Sequence, residues 1–466
     1  MQNLDTRGIT FQTDFTADEL AKRRERLTEK MGSGVALLQG VTVPAGFDAV
    51  RQNNEIYYLC GVEAPHAYLW IDAAADISRL YLRPRNEKEE RNEGPSLSSD
   101  DVELARKLTG VSEVRPLSSL PEDLKGQKLL YLLHAGAEGR CMCRDTLSFM
   151  QRCVDADPLN RRPSAEANLI ARVKDLCPDA EIRDLSPLID GLRLVKSPAE
   201  VAVLRQAGRL SALAVTEAMR STRPGVMEYQ LGAIADYIYE INGARGPGYR
   251  AIIAGGSNIW LTHYFRNACV LSDGDLVLMD YAPDVNNYTS DIGRMWPVNG
   301  KYSPPQRELY GLIVEYHKTM LSLIRPGPTP EQIHLEAAAK MRPVIENWTF
   351  SKPAWRKAGF ALLDFKGHLS HGVGMAVHEA ASYYGKPLEP GRVFAVDPQL
   401  WVPEEKIYVR CEDTVAVTEN GCEVLTAAAP LELDDIERTI AEKGMLQTYP
   451  AHPEPRPPFC KKVHMW

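Results

Sequence analysis

Two stretches of this chain concentrate side chains able to do chemistry. One begins at His263 as HYFRN and continues as GDLVLMDYAPDVNNYTSDIGRMW; the other begins at His368 and reads HLSHGVGMAVHE, VFAVDP and VRCEDTVAV. In LVLMD, strand alternation places Leu276, Leu278 and Asp280 on one face. A carboxylate closing so apolar a run is costly to bury without a partner, and a cation is one such partner. Asp291 follows after PDVNN, a turn-rich segment that can return the chain as an adjacent antiparallel strand. Asp397 closes the run VFAVD in the same way, and Arg410 and Glu412 share the face opposite Val409, Cys411 and Asp413. His371 lies beside Gly372 and Gly374, where small residues admit a substrate.

Four carboxylates and one imidazole form a hard, oxygen-rich donor set suited to manganese or a similar divalent ion. Two such ions, roughly 3.5 to 4 Å apart, would share a hydroxide and polarise a carbonyl, and amide hydrolysis is the natural chemistry. His263 and His378 could hydrogen-bond the carbonyl or the tetrahedral intermediate and pass a proton to the leaving nitrogen. Taken singly, each residue has a plainer role. An aspartate at a strand end forms turns, Arg410 and Glu412 make an ion pair, and His263 and His378 settle in a core. His317 and His334, on expected helices, read as surface residues. What favours a metal site is the coincidence of five ligand types at strand ends, spread over two similar halves.

Those halves follow one order. Ser197-Pro198-Ala199-Glu200 caps a long helix to about Arg220, Arg223-Pro224-Gly225 breaks the chain, and a second helix runs from about Met227 to Asn242. Strands carrying Asp280 and Asp291 follow. A further helix then starts near Pro305, Arg325-Pro326-Gly327 breaks it, and Thr329-Pro330-Glu331-Gln332 caps the next, ahead of the strands with His371, Asp397 and Glu412.

Upstream, Thr16-Ala17-Asp18-Glu19 is a capping box opening a helix. Strand-like runs VALLQ, EIYYLCGV, AYLWID, RLYLRP and KLLYLL alternate with helical stretches such as 100–108, with RPRNEKEERNEG read as a charged loop. The region 135–175 reads as an insertion or hinge-proximal segment. This gives an α/β domain over 1–190, an α+β domain with two similar halves over 191–446, and a proline-rich tail over 447–466.

Length of 466 residues, 44% hydrophobic content and 25% charge describe a multi-domain globular chain. A net charge of -8 argues against a basic nucleic-acid footprint, and small molecules or peptides are the expected partners. No run of apolar residues is long enough to cross a membrane. No secretory signal is expected at the start, and nine scattered cysteines disfavour a disulfide framework. A cytoplasmic location follows as the expectation.

The quoted motifs, together with VRQNNEIYYLCGVEAPHAYLWID near the start, resemble in order and spacing those of the pita-bread metallopeptidases, in their aminopeptidase P and prolidase branches. The resemblance spans nearly the whole chain except 135–175 and the tail. It implies a creatinase/aminopeptidase-type N-terminal domain, a pita-bread catalytic domain of two pseudo-symmetric halves, and two divalent ions, manganese first, with cobalt, zinc or iron as alternatives. Asp280 would be a terminal ligand of one ion, Asp291 a bridge, His371 and Asp397 ligands of the second ion, and Glu412 a second bridge. His263, His378 and Arg410 match substrate-facing positions. The chain departs from the pattern at Asp397, where the family has glutamate, also its general base. It departs at Gly367, where a histidine is common and His368 is displaced by one, and at Trp401, which replaces a tyrosine. His368 and Trp401 are therefore expected at the substrate. The implied activity is removal of an N-terminal residue preceding proline by a homo-oligomer. A prolidase acting on dipeptides, other C–N hydrolysis and a non-catalytic binding role are the alternatives.

Overall fold

The computed structural model describes residues 8–42 and 48–450, so residues 451–466 of the expected tail lie outside it. The chain divides into two units, Met1–Arg193 and Leu194–Trp466.

In the first unit, strands β1 (Val35–Gln39), β2 (Tyr68–Asp72), β3 (Ile77–Leu82), β4 (Glu113–Pro116), β5 (Leu129–Leu132) and β6 (Glu181–Asp184) form one sheet in the order β4-β3-β2-β1-β5-β6. The two central pairings, β1 with β2 and β2 with β3, are antiparallel, and the outer ones are parallel. Its core gathers Val35, Leu37, Trp70, Tyr81, Leu130 and Leu132. The opening helix is Ala17–Met31, with the Thr16 hydroxyl accepting from the Glu19 amide, as its capping box dictates.

Three expectations fail here. The run EIYYLC is a helix, Asn54–Cys60, buried along its whole length and stopped by Gly61 at φ 67. Burial on every side removes the period that separates helix from strand. The charged segment contains a helix, Glu87–Glu93, whose cap Asn86 accepts from the amides of Lys88 and Glu89; Glu, Lys and Arg are good helix formers, and their charge does not make a loop. Region 135–175 carries the helices Arg144–Ala156 and Ala165–Leu176 and is built into the unit. Arg144 pairs with Glu55 at 2.9 Å and Asp190 at 3.1 Å, and Arg193 pairs with Glu138 at 2.7 Å.

The second unit is built on strands β7 (Ile252–Gly255), β8 (Leu276–Asp280), β9 (Ile292–Pro297), β10 (Leu369–Gly372), β11 (Val393–Val396), β12 (Gln399–Val402), β13 (Ile407–Arg410), β14 (Glu412–Val417) and β15 (Cys422–Val424). The main sheet runs β10-β11-β14-β9-β8-β7, with β15 on β14, and β12 and β13 form a separate hairpin. The first half contributes three strands and the second four, counting β15, and all pairings along that path are antiparallel. The halves meet where Glu412 of β14 lies opposite Gly293 of β9. Two helices precede the strands of each half: Pro198–Ser221 and Glu228–Ile241, then Pro304–Leu321 and Pro330–Asn347. Capping boxes open Pro198–Ser221 (Ser197 with Glu200) and Pro330–Asn347 (Thr329 with Gln332). The breaks between them need glycine, since Gly225 and Gly327 stand at φ 94 and 105.

Among the described residues no helix is long and apolar enough to cross a membrane.

Candidate metal centre

The five expected ligands converge where the two halves meet. Asp280 ends β8 and Asp291 immediately precedes β9; Glu412 opens β14, Asp397 follows β11, and His371 lies in β10. Asp291, His371 and Glu412 each offer an atom within 4.8 Å of the others, and His371 Nε2 is 3.4 Å from Asp291 Oδ2. Thr414 on β14 clamps the Asp291 backbone: its hydroxyl accepts from the amide at 2.7 Å and donates to the carbonyl at 2.8 Å. Gly293 makes room, because a Cβ there would stand 3.1 Å from Glu412 Oε2.

Arg410 reaches into the same cluster. Its guanidinium donates to Asp280 Oδ2 and lies 3.6 Å from Asp397 Oδ2 and 3.5 Å from Glu412 Oε2. One arginine is a small offset for this much buried negative charge, and the acidities show it. Burial, then the neighbouring Asp280, pushes the Asp291 carboxyl well above the carboxylate range; burial, then Asp291 and Asp397, does the same for Glu412. Burial raises Asp397 to about 6 against the pull of Arg410 and Gln399. Burial, then His378, lowers His371 to about 3, which leaves its imidazole neutral and fit to ligate.

The donor set fits divalent cations. Among the described residues, Asp397 Oδ1 and Glu412 Oε2 are buried without a hydrogen-bond partner, and added positive charge would relieve the carboxylates' mutual repulsion. A second group, His317, Cys411 and Asp413, lies on the other face of the strand. There the Arg294 guanidinium binds both Asp413 oxygens at 2.8 and 3.0 Å and His317 Nε2 stands 2.7 Å from Oδ2, so that carboxylate already has its cation.

The other expected residues divide. His378 lies ring to ring with His371 at 4.1 Å, and His263 is 6.5 Å from His378, so both stand beside the cluster. Trp401 lies on β12 opposite Tyr408, two pairs along from Gln399 opposite Arg410, and carries Trp260 against its edge at 5.3 Å. His368 goes elsewhere. It is fully buried, its Nε2 bonds the Leu362 carbonyl, and its ring packs on Tyr316, Phe365 and His334 rather than on a site carboxylate. The surface reading of His317 and His334 also fails. Both are buried, because each lies on the inward stripe of its helix, His317 with Tyr310, Ile313 and Met320, and His334 with Ile333, Ala337 and Met341.

Sequence reasoning missed Tyr249, whose hydroxyl lies 2.7 Å from Asp280 Oδ1 and 2.8 Å from Asp291 Oδ1. It stands in the loop GPGYR, which carries no periodic signal. Gln399, which donates to Asp397 Oδ2, was also missed; its place two residues after Asp397 was the only available sign.

The comparisons agree with this geometry. Residues 202–419 match the model of metallopeptidase family M24, and residues 20–130 match the aminopeptidase P N-terminal domain. The Xaa-Pro aminopeptidase of Escherichia coli K12 is 31% identical over 449 residues, covering 91% of this chain and 98% of that protein. The solved structure of proline aminopeptidase P II from Yersinia pestis superposes with a TM-score of 0.73 at 32% identity, covering 92% of this chain and all of that one. Zinc-substituted E. coli aminopeptidase P in complex with product gives 0.74 at 30% identity, covering 92% and 99%. A pita-bread sheet with carboxylates and an imidazole gathered at its central seam, matched along almost its full length by such relatives, leaves one assignment: the chain belongs to metallopeptidase family M24.

Proposed function

We propose that this protein is a metal-dependent Xaa-Pro aminopeptidase, hydrolysing the bond between an N-terminal residue and a following proline. The convergence of Asp280, Asp291, His371, Asp397 and Glu412 from two halves onto one buried cluster carries the reading. The named activities of the full-length relatives support it. These five residues would hold two divalent ions, manganese first. When bound, the ions supply Lewis acidity toward a carbonyl oxygen and make water a competent nucleophile near neutral pH.

The protein's own groups do the rest. Asp397 takes the proton of the attacking water at Oδ1, the oxygen left without a partner, while Gln399 holds Oδ2. His263 and His378 stand beside the cluster, where an imidazole N–H can bond the carbonyl oxygen as its negative charge grows. Arg410 fixes Asp280 and balances charge. Trp401 and Trp260 wall the approach with apolar rings, fitted to a pyrrolidine and to keeping water out.

The reading extends to the whole chain. Residues 1–190 form the N-terminal domain, 191–446 the catalytic domain and 447–466 a tail, and the protein works as a homo-oligomer. A cytoplasmic location is supported by Cys60, Cys153, Cys177, Cys269, Cys411 and Cys422, which stand as thiols.

The test is hydrolysis of Ala-Pro-Ala and Ala-Pro by purified protein, with metal content measured alongside. Cleavage of the tripeptide with two ions per chain, lost on chelation and restored by manganese, is expected. Activity that survives exhaustive chelation overturns the reading, and cleavage of Ala-Pro alone replaces it with a dipeptidase.

A further inference from the structure

The hairpin of β12 and β13 supplies more to the site than Arg410. Its register pairs Gln399 with Arg410 and Trp401 with Tyr408. Residues opposite one another, and residues two apart along a strand, share a face. Gln399 touches Asp397 and Arg410 touches Asp280, so this face is the one turned to the metal centre. Tyr408 therefore stands in a row with Arg410.

Tyr408 is 2% exposed, and its hydroxyl has no hydrogen-bond partner among the described residues. The ring is held against Trp401 at 4.1 Å. Burial, and then the negative charge of Asp397, Glu412 and Asp280 set against that of Arg410, keeps the phenol protonated far above its ordinary range. The result is a fixed neutral donor beside the carboxylate cluster, hydrogen-bonded to none of its members. A buried hydroxyl left unpaired is costly, and native proteins retain such groups where a ligand completes them. A peptide bond to proline has no N–H, so hydrogen bonding to that bond falls to its oxygen, and a hydroxyl donor among apolar rings matches that need.

We infer that Tyr408 is a substrate-binding residue whose hydroxyl donates a hydrogen bond to a carbonyl oxygen of the bound prolyl peptide. This rests on the proposed aminopeptidase reading.

The substitution Tyr408→Phe removes only the oxygen. Two properties should move in opposite directions. With its unpaired hydroxyl gone, the free protein keeps or slightly raises its thermal midpoint and keeps its ion content. Meanwhile kcat/KM for Ala-Pro-Ala falls about tenfold. In an Asp397→Asn background, which blocks turnover, calorimetry should show Ala-Pro-Ala binding weakened about three- to tenfold by the second substitution. A Tyr408→Phe protein within twofold of the parent in both kcat/KM and affinity overturns the inference, as does one that loses thermal stability with unchanged kinetics. Parent protein that fails to cleave Ala-Pro-Ala overturns the aminopeptidase reading itself, and this inference with it.

Discussion

The Tyr249 hydroxyl sits between Asp280 and Asp291, 2.7 Å from one carboxylate and 2.8 Å from the other. A phenol has one proton to give, so it serves one of the two at any moment. The pair is thereby held close at the cost of strong mutual repulsion, which a bound cation would relieve.

Replacing Tyr249 with phenylalanine should therefore loosen the ligand pair without opening a cavity. Partners of metal ligands typically contribute 10- to 100-fold in metal affinity. We expect manganese to bind about tenfold more weakly or worse to Tyr249→Phe by calorimetry, with thermal stability of the metal-free protein little changed. Unaltered affinity would remove Tyr249 from the site's machinery.

Asp397 separates two jobs, ligation and proton transfer. Asp397→Asn keeps the shape but removes the basic oxygen and the charge, so kcat for a Xaa-Pro-Yaa peptide should fall at least about 100-fold. Asp397→Glu keeps the carboxylate, and its activity should exceed that of the asparagine variant at equal metal content. Steady-state kinetics with metal analysis on both variants decides it.

Gly293 is a spacing device. A methyl there would stand 3.1 Å from both Cβ and Oε2 of Glu412, so Gly293→Ala should displace that ligand by a few tenths of an ångström and lower metal occupancy. The protein should still fold, since Gly293 sits in an extended strand that alanine tolerates. Normal occupancy and activity in this variant would show that the sheet yields instead.

His334 and His368 form a buried pair away from the ligands, their rings 5.9 Å apart. Burial lowers His334 to about 4 and His368 to about 3 from an ordinary 6.5. Both are neutral in the fold, and the unfolded chain binds more protons between those values and 6.5. Stability should therefore rise with pH from about 4 to 6.5, by on the order of 3 kcal/mol per ring, and level off above. Urea unfolding across that range should show a clearly shallower slope for His334→Leu than for the parent.

Much of this was legible beforehand because the ligands sit at strand ends, where alternation and turn chemistry are local. Asp280 and Asp291 could be placed on adjacent antiparallel strands from LVLMD and PDVNN alone, and the repeated helix, break and helix order located the second half. Long-range packing was not legible. His317 looks like any histidine on a helix until Asp413, nearly a hundred positions later, arrives 2.7 Å from it. His368 sits three residues before a ligand, yet its backbone turns it toward Tyr316 and Phe365. The helix Asn54–Cys60 was misread because a segment buried on every side shows no period.

The seam between β9 and β14 has a consequence for how the protein is made. Synthesis delivers β7, β8 and β9 well before β14, so until the second half emerges β9 is an edge strand, apolar but for Arg294 and without its outer backbone partners. Asp280 and Asp291 wait through the same interval without Arg410. The nascent chain thus carries a sticky, negatively charged half-sheet whose completion depends on its last-made strands, and truncation before residue 412 leaves that edge permanently open to other chains.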